Sequence, residues 1–137
     1  MDIDYALIAD YAEIVGGKLY LMGGGWDTTY TAETPVVVKV AIAVGVRVPW
    51  NETGQAIPVR MTLEDDDGEV FVSMDGGVSV GRPEGLAPGS AQLTQVAANV
   101  AFNAPRFGGY RVLVVAGEGD ASVSHALPFR VAPNLPV

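Results

Sequence analysis

The stretch from Val36 to Val48 reads VVVKVAIAVGVRV, and every second residue in it is Val or Ile. A period of two places alternate side chains on opposite faces of an extended strand, so one face of this segment is predicted to lie in a core. Val and Ile branch at Cβ, which restricts χ1 and suits them to a pleated sheet. The chain is therefore predicted to be mainly β.

The length and composition indicate one folded domain spanning residues 1–137. The chain has 137 residues and a mass of 14.3 kDa, which is enough to bury a sizeable core. Apolar residues make up 49% and charged residues 18%, a balance that favours a folded domain over a disordered one. The mean hydropathy of +0.27 indicates a rich β core, or a core together with an apolar interface.

The distribution of charge argues against nucleic acid and membranes as partners. Sixteen Asp and Glu residues stand against eight Lys and Arg, which gives a net charge of −8. The basic residues are scattered along the chain and form no stripe. Binding to phosphate backbones or to anionic membrane surfaces depends on clustered positive charge, so neither partner is predicted.

The N-terminus and the cysteine count bear on compartment and chemistry. The chain contains no Cys, which excludes disulfides, zinc–thiolate sites and thiol catalysis. Residues 1–14 carry four acidic side chains and no basic one, unlike a secretory signal, which begins with a basic region. The protein is therefore predicted to be cytoplasmic, and no cofactor is predicted.

Turn signals divide the chain into about eight strands. Gly16-Gly17 predicts a two-residue hairpin turn between the first two, because both glycines accept positive φ. Pro58 cannot donate to a ladder, so its strand is predicted to lie at a sheet edge or to begin there. The predicted strands are Tyr5–Ile14, Lys18–Met22, Val36–Val48, Ile57–Leu63, Glu69–Met74, Gln92–Phe102, Tyr110–Ala116 and Ala121–Val131.

The remaining segments are interpreted as connections. Thr28–Thr34 leads to Pro35, Gly76–Ser90 is a long irregular stretch, and Pro133 and Pro136 close a short tail. Ala91–Asn99 has a helical alternative, because Ala, Leu and Gln favour helix. No segment suits the helix of a βαβ unit, so the predicted fold is an all-β antiparallel two-sheet β-sandwich, immunoglobulin-like, with a barrel as the nearest alternative.

Two segments resemble known proteins. Ala9-Asp10-Tyr11-Ala12, followed by Gly23-Gly24-Gly25-Trp26, resembles the opening of a family of uncharacterised bacterial single-domain all-β proteins. Phe102–Pro105 and Gly109–Val112, together with the final Pro128–Val131, resemble the closing strands of immunoglobulin-like sandwiches. The first resemblance implies no activity, and the second describes a fold that hosts many functions.

The acidic segment Glu64–Glu69 is a candidate calcium site. An EF-hand loop that began at Asp65 would need an acid at position twelve, where this chain has Gly76. Glu118 and Asp120 could still add ligands from another loop. The competing interpretation, which turn preference favours, is a solvated Asp-Gly hairpin turn.

Gly23–Asp27 is a candidate small-ligand site. Three consecutive glycines imply a bulge, a bend or the close approach of another backbone. A phosphate loop would need a following helix and a nearby base, which Trp26–Thr34 does not supply. Trp26 could stack on a ligand, but buried Trp more often closes the end of a sandwich.

No catalytic constellation is apparent, so the protein is predicted not to be an enzyme. The single His, His125, shares a strand face with Val123 and Leu127, which favours a structural role in the core or at its rim. A catalytic base would need a nucleophile or an orienting partner beside it. The carboxylates are dispersed, and a hydrolase that gathers them from distant loops is the weakest alternative.

The leading functional prediction is a non-enzymatic structural or protein–protein interaction module. The alternative is a domain that binds a small ligand or calcium through Gly23–Asp27 or Asp65–Asp67. Arg82 and Glu84, in the long irregular stretch, are candidates for contacts with a partner. Self-association is also predicted, because several residues on strand faces that should meet solvent are apolar. They are Leu113, Val115, Val37, Ala41 and Ala43.

Overall fold

A computed structural model describes residues 1–134 of the chain, which form nine strands and two short 3-10 turns. The tail residue Pro136 lies outside the described residues, and Pro133 is the last residue of the final strand. The strands are β1 (Asp2–Val15), β2 (Lys18–Gly24), β3 (Thr28–Thr31), β4 (Val36–Val48), β5 (Ile57–Asp65), β6 (Val70–Val78), β7 (Gln92–Ala104), β8 (Gly108–Ala116) and β9 (Val123–Pro133). The turns are Trp50–Glu52 and Gly119–Ala121.

The strands form a β-sandwich of immunoglobulin-like order, which confirms the predicted fold class. One sheet has the order β2-β1-β4-β7 and the other the order β3-β9-β8-β5-β6. In the letter notation of immunoglobulin domains, β1, β4 and β7 take positions A, B and E, while β9, β8 and β5 take positions G, F and C. β6 lies where variable-type domains place C′. Among residues 1–134, no strand occupies position D beside β7.

The segment that decided the fold class is the central strand of the four-stranded sheet. β4 pairs with β1 on one side and with β7 on the other. Its Val and Ile side chains at even positions point into the main core, and Ile42, Val44 and Val46 have no exposed surface. The period of two therefore predicted both the strand and its buried face.

A tyrosine corner joins the two sheets at one end of the sandwich. The hydroxyl of Tyr110, near the start of β8, donates a hydrogen bond of 2.6 Å to the carbonyl oxygen of Arg106 in the loop before it. This contact is a hallmark of immunoglobulin-like domains. The Tyr110 ring stacks on Phe129 at 5.7 Å and meets Phe102 edge-on at 5.3 Å, so the corner extends into an aromatic cluster in the core.

The structure corrects three details of the predicted strands. β3, in the segment expected to be a connection, pairs in parallel with β9, so the second sheet is mixed. β5 lies between β8 and β6, which contradicts an edge position, although Pro58 does stand at the start of the strand. β6 continues to Val78, so the irregular stretch begins after it rather than at Gly76. Each error concerns pairing with a distant segment, which local pattern does not encode.

The helical alternative for Ala91–Asn99 is wrong. Ala91 is a loop residue, and residues 92–99 form the first part of β7. This strand pairs with β4 along its whole length without a register shift. Tertiary pairing outweighs the intrinsic helix preference of Ala, Leu and Gln. Within the described residues, no helix has the length and apolar character needed to cross a membrane.

Candidate functional site

The β1–β2 hairpin folds over the outer face of its own sheet. The Gly16-Gly17 turn has the predicted positive φ at both residues. β1 pairs with β4 only as far as Ala9, while its pairing with β2 runs on to Val15. Beyond Ala9 the hairpin therefore leaves the sheet and crosses β4 towards β7.

Polar side chains on β7 hold the hairpin in this position. The side-chain amide of Asn99 donates a hydrogen bond of 2.7 Å to the carbonyl of Ala12 and accepts one of 3.1 Å from the N–H of Ala12. It thus makes the two hydrogen bonds that the backbone of a neighbouring strand would make. Gln95 donates to the carbonyl of Gly17 at 2.7 Å and accepts a hydrogen bond from the Tyr5 hydroxyl. The hairpin tip and its midpoint are thus both tied to β7.

A second, smaller core lies under the hairpin. It consists of four alanines with no exposed surface: Ala9, Ala12, Ala41 and Ala43. The half-buried Tyr5, Leu19 and Leu21 pack on these alanines. Small residues allow the hairpin backbone to approach the sheet closely. The expectation that Ala41 and Ala43 face solvent is therefore wrong, because the chain covers them itself. Val37, farther along β4, is 63% exposed as expected.

Replacing Asn99 by Ala should loosen the hairpin without unfolding the sandwich. The change leaves the buried N–H and C=O of Ala12 without partners, which we expect to lower the free energy of unfolding by about 1–3 kcal/mol. Hydrogen exchange should accelerate at Ala12 and its neighbours while the core strand β4 remains protected. Asn103→Ala, at an exposed position on the same strand, is the control and should leave exchange unchanged. Equal exchange in both variants would contradict the assigned role of Asn99.

The outward side of the hairpin presents four large apolar side chains to solvent, and we call it the hairpin face. Their exposed fractions are 46% for Tyr11, 52% for Val15, 52% for Tyr20 and 69% for Met22. Tyr11 lies directly opposite Met22, and Tyr20 lies opposite Glu13. Because cross-strand neighbours share a face, these side chains form one surface.

Sequence reasoning missed the hairpin face. Strict alternation from Tyr5 places Tyr11 on the same side as Ala9, whereas the structure buries Ala9 and Ala12 and exposes Tyr11. The parity changes where the strand leaves the sheet. The available signal was the Gly-Gly turn flanked by strands whose outward positions carry Tyr, Val and Met.

An open cleft of about 350 Å³ lies at the base of the hairpin, lined by Asp10, Trp26, Tyr30, Val37 and Lys39, among others. Trp26 packs edge-on against Phe129 at 6.0 Å and contacts the main core, so it closes the end of the sandwich. Its indole N–H is buried and has no hydrogen-bond acceptor among the described residues.

The glycines before Trp26 have a structural explanation. A Cβ at Gly23 would lie 2.3 Å from a carboxylate oxygen of Asp10, and one at Gly24 would lie 2.3 Å from Leu21. The neighbours of Gly23 and Gly24 are therefore side chains rather than another backbone, and the left-handed φ of Gly23 and Gly25 fits the expected bend.

The acidic turn is built around one buried carboxylate. Asp65 is 1% exposed; one of its oxygens accepts from the N–H groups of Asp67 and Glu69 at 2.9 Å each, and the other accepts from Arg106 at 2.6 Å. The Arg106 guanidinium holds the pKa of Asp65 below its ordinary value, aided by the two N–H groups. Gly68 has the left-handed φ of such a turn. The predicted hairpin turn is therefore present between β5 and β6, but the expectation that it is solvated is wrong for Asp65, which is buried.

The geometry of this turn does not suit calcium. Calcium takes six to eight oxygen ligands, but Asp65 is committed to Arg106 and the turn, and Glu64 is paired with Arg111 at 2.6 Å. Within residues 1–134, no group of three or more His, Cys, Asp or Glu side chains is placed to hold a metal ion.

Arg82, a candidate for contacts with a partner, is bound within the domain. Its guanidinium lies 3.9 Å above the Trp50 ring and donates to the Trp50 carbonyl at 3.0 Å and to the Thr53 hydroxyl at 2.8 Å. These contacts attach the irregular stretch to the β4–β5 connection. Glu84 is exposed, as is Arg82.

The outer face of β8 is less apolar than expected. Leu113 and Val115 are half-buried. Leu113 lies between Thr62 and Ala126, and Val115 lies between a charged and a polar neighbour, Arg60 and Ser124. The two side chains are therefore separated from any larger apolar patch.

His125 is exposed. β3 pairs only with residues 130–133 of β9, so β9 is the edge of the sheet at His125, and this residue lies on the rim. Its direct neighbour on β8 is Val114. Of the two predicted positions, in the core or at its rim, the structure therefore has the rim.

Residues 4–132 match the model of a family of unknown function, DUF6941. The chain belongs to this family. The DUF6941 match spans nearly all of the sandwich, from β1 to the end of β9, and therefore agrees with the resemblance seen in the opening segment. No curated protein and no solved structure matches the chain.

Proposed function

We propose that the protein is a non-enzymatic interaction module that binds a partner protein through the hairpin face. The observation that carries this proposal is the exposure of Tyr11, Val15, Tyr20 and Met22 side by side on one hairpin. Contiguous exposed apolar surface on a soluble domain marks interaction sites.

The composition of the hairpin face is that of an interface core. Tyr and Met are enriched in protein–protein interfaces, and acidic residues are depleted there. The hairpin face carries one acidic side chain, Glu13, and one basic side chain, Lys18, in a chain with a net charge of −8. These two charges offset each other, so the hairpin face has little net charge although the chain as a whole is acidic.

The hairpin is also held rigidly enough to bind without a large ordering cost. Asn99, Gln95 and Tyr5 fix it against the sheet, and the alanine core supports its inner side. A preorganised surface loses less conformational entropy on association than a mobile loop does.

Two features support a non-enzymatic role. His125 lies opposite the apolar Val114, and the buried carboxylate Asp65 is neutralised by Arg106 within a structural turn. Among residues 1–134, neither side chain is hydrogen-bonded to a hydroxyl group or to another carboxyl group with which it could share a proton in catalysis.

Small-ligand binding in the cleft beside Trp26 is the second candidate. The buried indole N–H without an acceptor is the observation in its favour, and a volume of about 350 Å³ lies within the range of ligand pockets. A thermal-shift screen with sugars, nucleotides, common metabolites and calcium tests it, because a ligand that binds the native state raises its melting temperature. A shift that Trp26→Phe abolishes would favour this candidate.

Site-specific photocrosslinking tests the hairpin face directly. A benzoylphenylalanine introduced at Tyr20 should, on irradiation of expressing cells, give one discrete adduct whose partner mass spectrometry identifies. Val70 is the matched control, because it is also 52% exposed but lies on β6 in the other sheet. Met22→Lys should abolish the Tyr20 adduct, since it places a charge in the contact. No adduct at Tyr20, or the same adducts at both positions, would contradict the proposal.

A further inference from the structure

β7 offers a long free edge, which we call the β7 edge. The strand has 13 residues and stands at the end of the four-stranded sheet. It pairs with β4 on one side over its full length and without a bulge. Within the described residues, no backbone hydrogen bond outside this ladder involves residues 92–104. Its outer backbone groups are therefore free to pair with another strand.

The β7 edge lacks the features that usually protect edges. Proteins shorten such strands or place charges, prolines or bulges on them. The other edge strands of the two sheets are protected in this way: β3 has 4 residues, β2 has 7 with Lys18 and two glycines, and β6 has 9 with Asp75 and two glycines. β7 contains no charge and no proline, and residues 85–105 contain no charged side chain.

The core is also incompletely covered along this strand. Val96, Ala98 and Val100 point into the main core but remain half-buried. Their direct partners on β4 are fully buried: Val44, Ile42 and Val40. On the facing sheet, Val72 and Met74 of β6 are half-buried as well. An added strand at position D would cover both rows.

We propose that a second copy of the chain supplies this strand, with the two β7 strands antiparallel across a two-fold axis at Ala98. Two-fold symmetry produces antiparallel pairing, and Ala98 is the midpoint of Gln92–Ala104. In this register Val96 of each copy lies opposite Val100 of the other, so apolar side chains meet on the inner face.

The absence of charge on β7 removes the electrostatic obstacle to a second copy at this surface. A net charge of −8 opposes the association of identical chains. Pairing through residues 92–104 brings no like charges face to face, because the strand has none. The β7 edge consists of backbone groups of β7 and the hairpin face of side chains of β1 and β2, so the two proposals rest on different groups and can fail separately.

Cysteine crosslinking tests the register, because the chain has no cysteine of its own. Ala98→Cys places two cysteines opposite each other with Cα atoms about 4.5–5.5 Å apart, a separation that a disulfide spans, so mild oxidation should give mostly disulfide-linked dimer. Leu93→Cys, on the same strand but away from the axis, should give little, since its two copies would be roughly 33 Å apart. Ala126→Cys, exposed on β9, measures crosslinking by random collision.

Light scattering at micromolar concentration should give twice the 14.3 kDa mass of the chain. Ala98→Lys should return the monomer, because two like charges would meet at the axis, whereas Ala126→Lys should leave the dimer intact. A monomeric wild-type protein would leave the edge to a strand from a different protein and would overturn the proposal. A dimer that forms no Ala98→Cys disulfide above the Ala126→Cys level would also overturn it.

Discussion

Asp65→Asn replaces one side-chain oxygen by nitrogen, and we expect it to lower the melting temperature by about 10 °C. The substitution preserves the shape of the side chain but removes its charge. Asn can still accept from the two N–H groups of the turn, but its amide nitrogen would face Arg106, which is also a donor. Arg106 is in turn linked to Tyr110 through the tyrosine corner, so the loss affects both sheets.

The effect of Asp65→Asn should depend on pH. The pKa of Asp65 is lowered in the folded state, so its carboxylate stabilises the fold above its ordinary pKa of about 4. That contribution is lost as the pH falls through the lowered pKa. The melting temperatures of the wild type and of Asp65→Asn should therefore differ most near neutral pH and converge in acid.

Asp67→Asn is the control for this experiment. The Asp67 side chain is 91% exposed and lies 3.9 Å from Arg106, so its removal should change the melting temperature little. Equal losses in the two variants would show that the general charge of the turn, rather than the buried pair, stabilises the fold.

Features that depend on neighbouring residues could be predicted from the sequence. The alternation from Val36 to Val48 gave the central strand and its buried face. Gly16-Gly17 gave the hairpin turn, and the segment Asp65–Gly68 gave the turn after β5. In each case backbone preference and side-chain period agree over a few residues, so a local pattern was sufficient.

Features that depend on distant contacts could not be predicted. The parallel pairing of β3 with β9 joins segments about a hundred residues apart in sequence. The side chains of β1 would alternate between the two faces throughout only if the hairpin stayed in the sheet. Asn99, which is far from β1 in sequence, holds the hairpin out of the sheet. The candidate functional surface arises from that departure. Ala41 and Ala43 of β4, which were expected to meet solvent, were therefore misassigned, while the exposed Tyr and Met residues of the hairpin were overlooked.

Gly45→Ala should destabilise the protein by about 1–3 kcal/mol, although it adds one methyl group to a strand. Gly45 lies directly opposite Tyr5 in the ladder. A Cβ at Gly45 would lie 2.3 Å from Cε1 and 2.6 Å from Cδ1 of the Tyr5 ring. The ring would have to move, and its hydrogen bond to Gln95, which also holds the hairpin tip, would be lost.

A double-mutant cycle isolates this contact. In a Tyr5→Ala background there is no ring to displace, so Gly45→Ala should become neutral or slightly stabilising, since Ala suits a strand better than Gly. Gly81→Ala is the matched control, because a Cβ there meets nothing within 4 Å and the backbone φ is not left-handed. Chemical denaturation of the four members of the cycle measures the coupling. If Gly45→Ala costs the same with and without Tyr5, the ring does not determine the need for glycine, and Tyr5 is not a support of the hairpin.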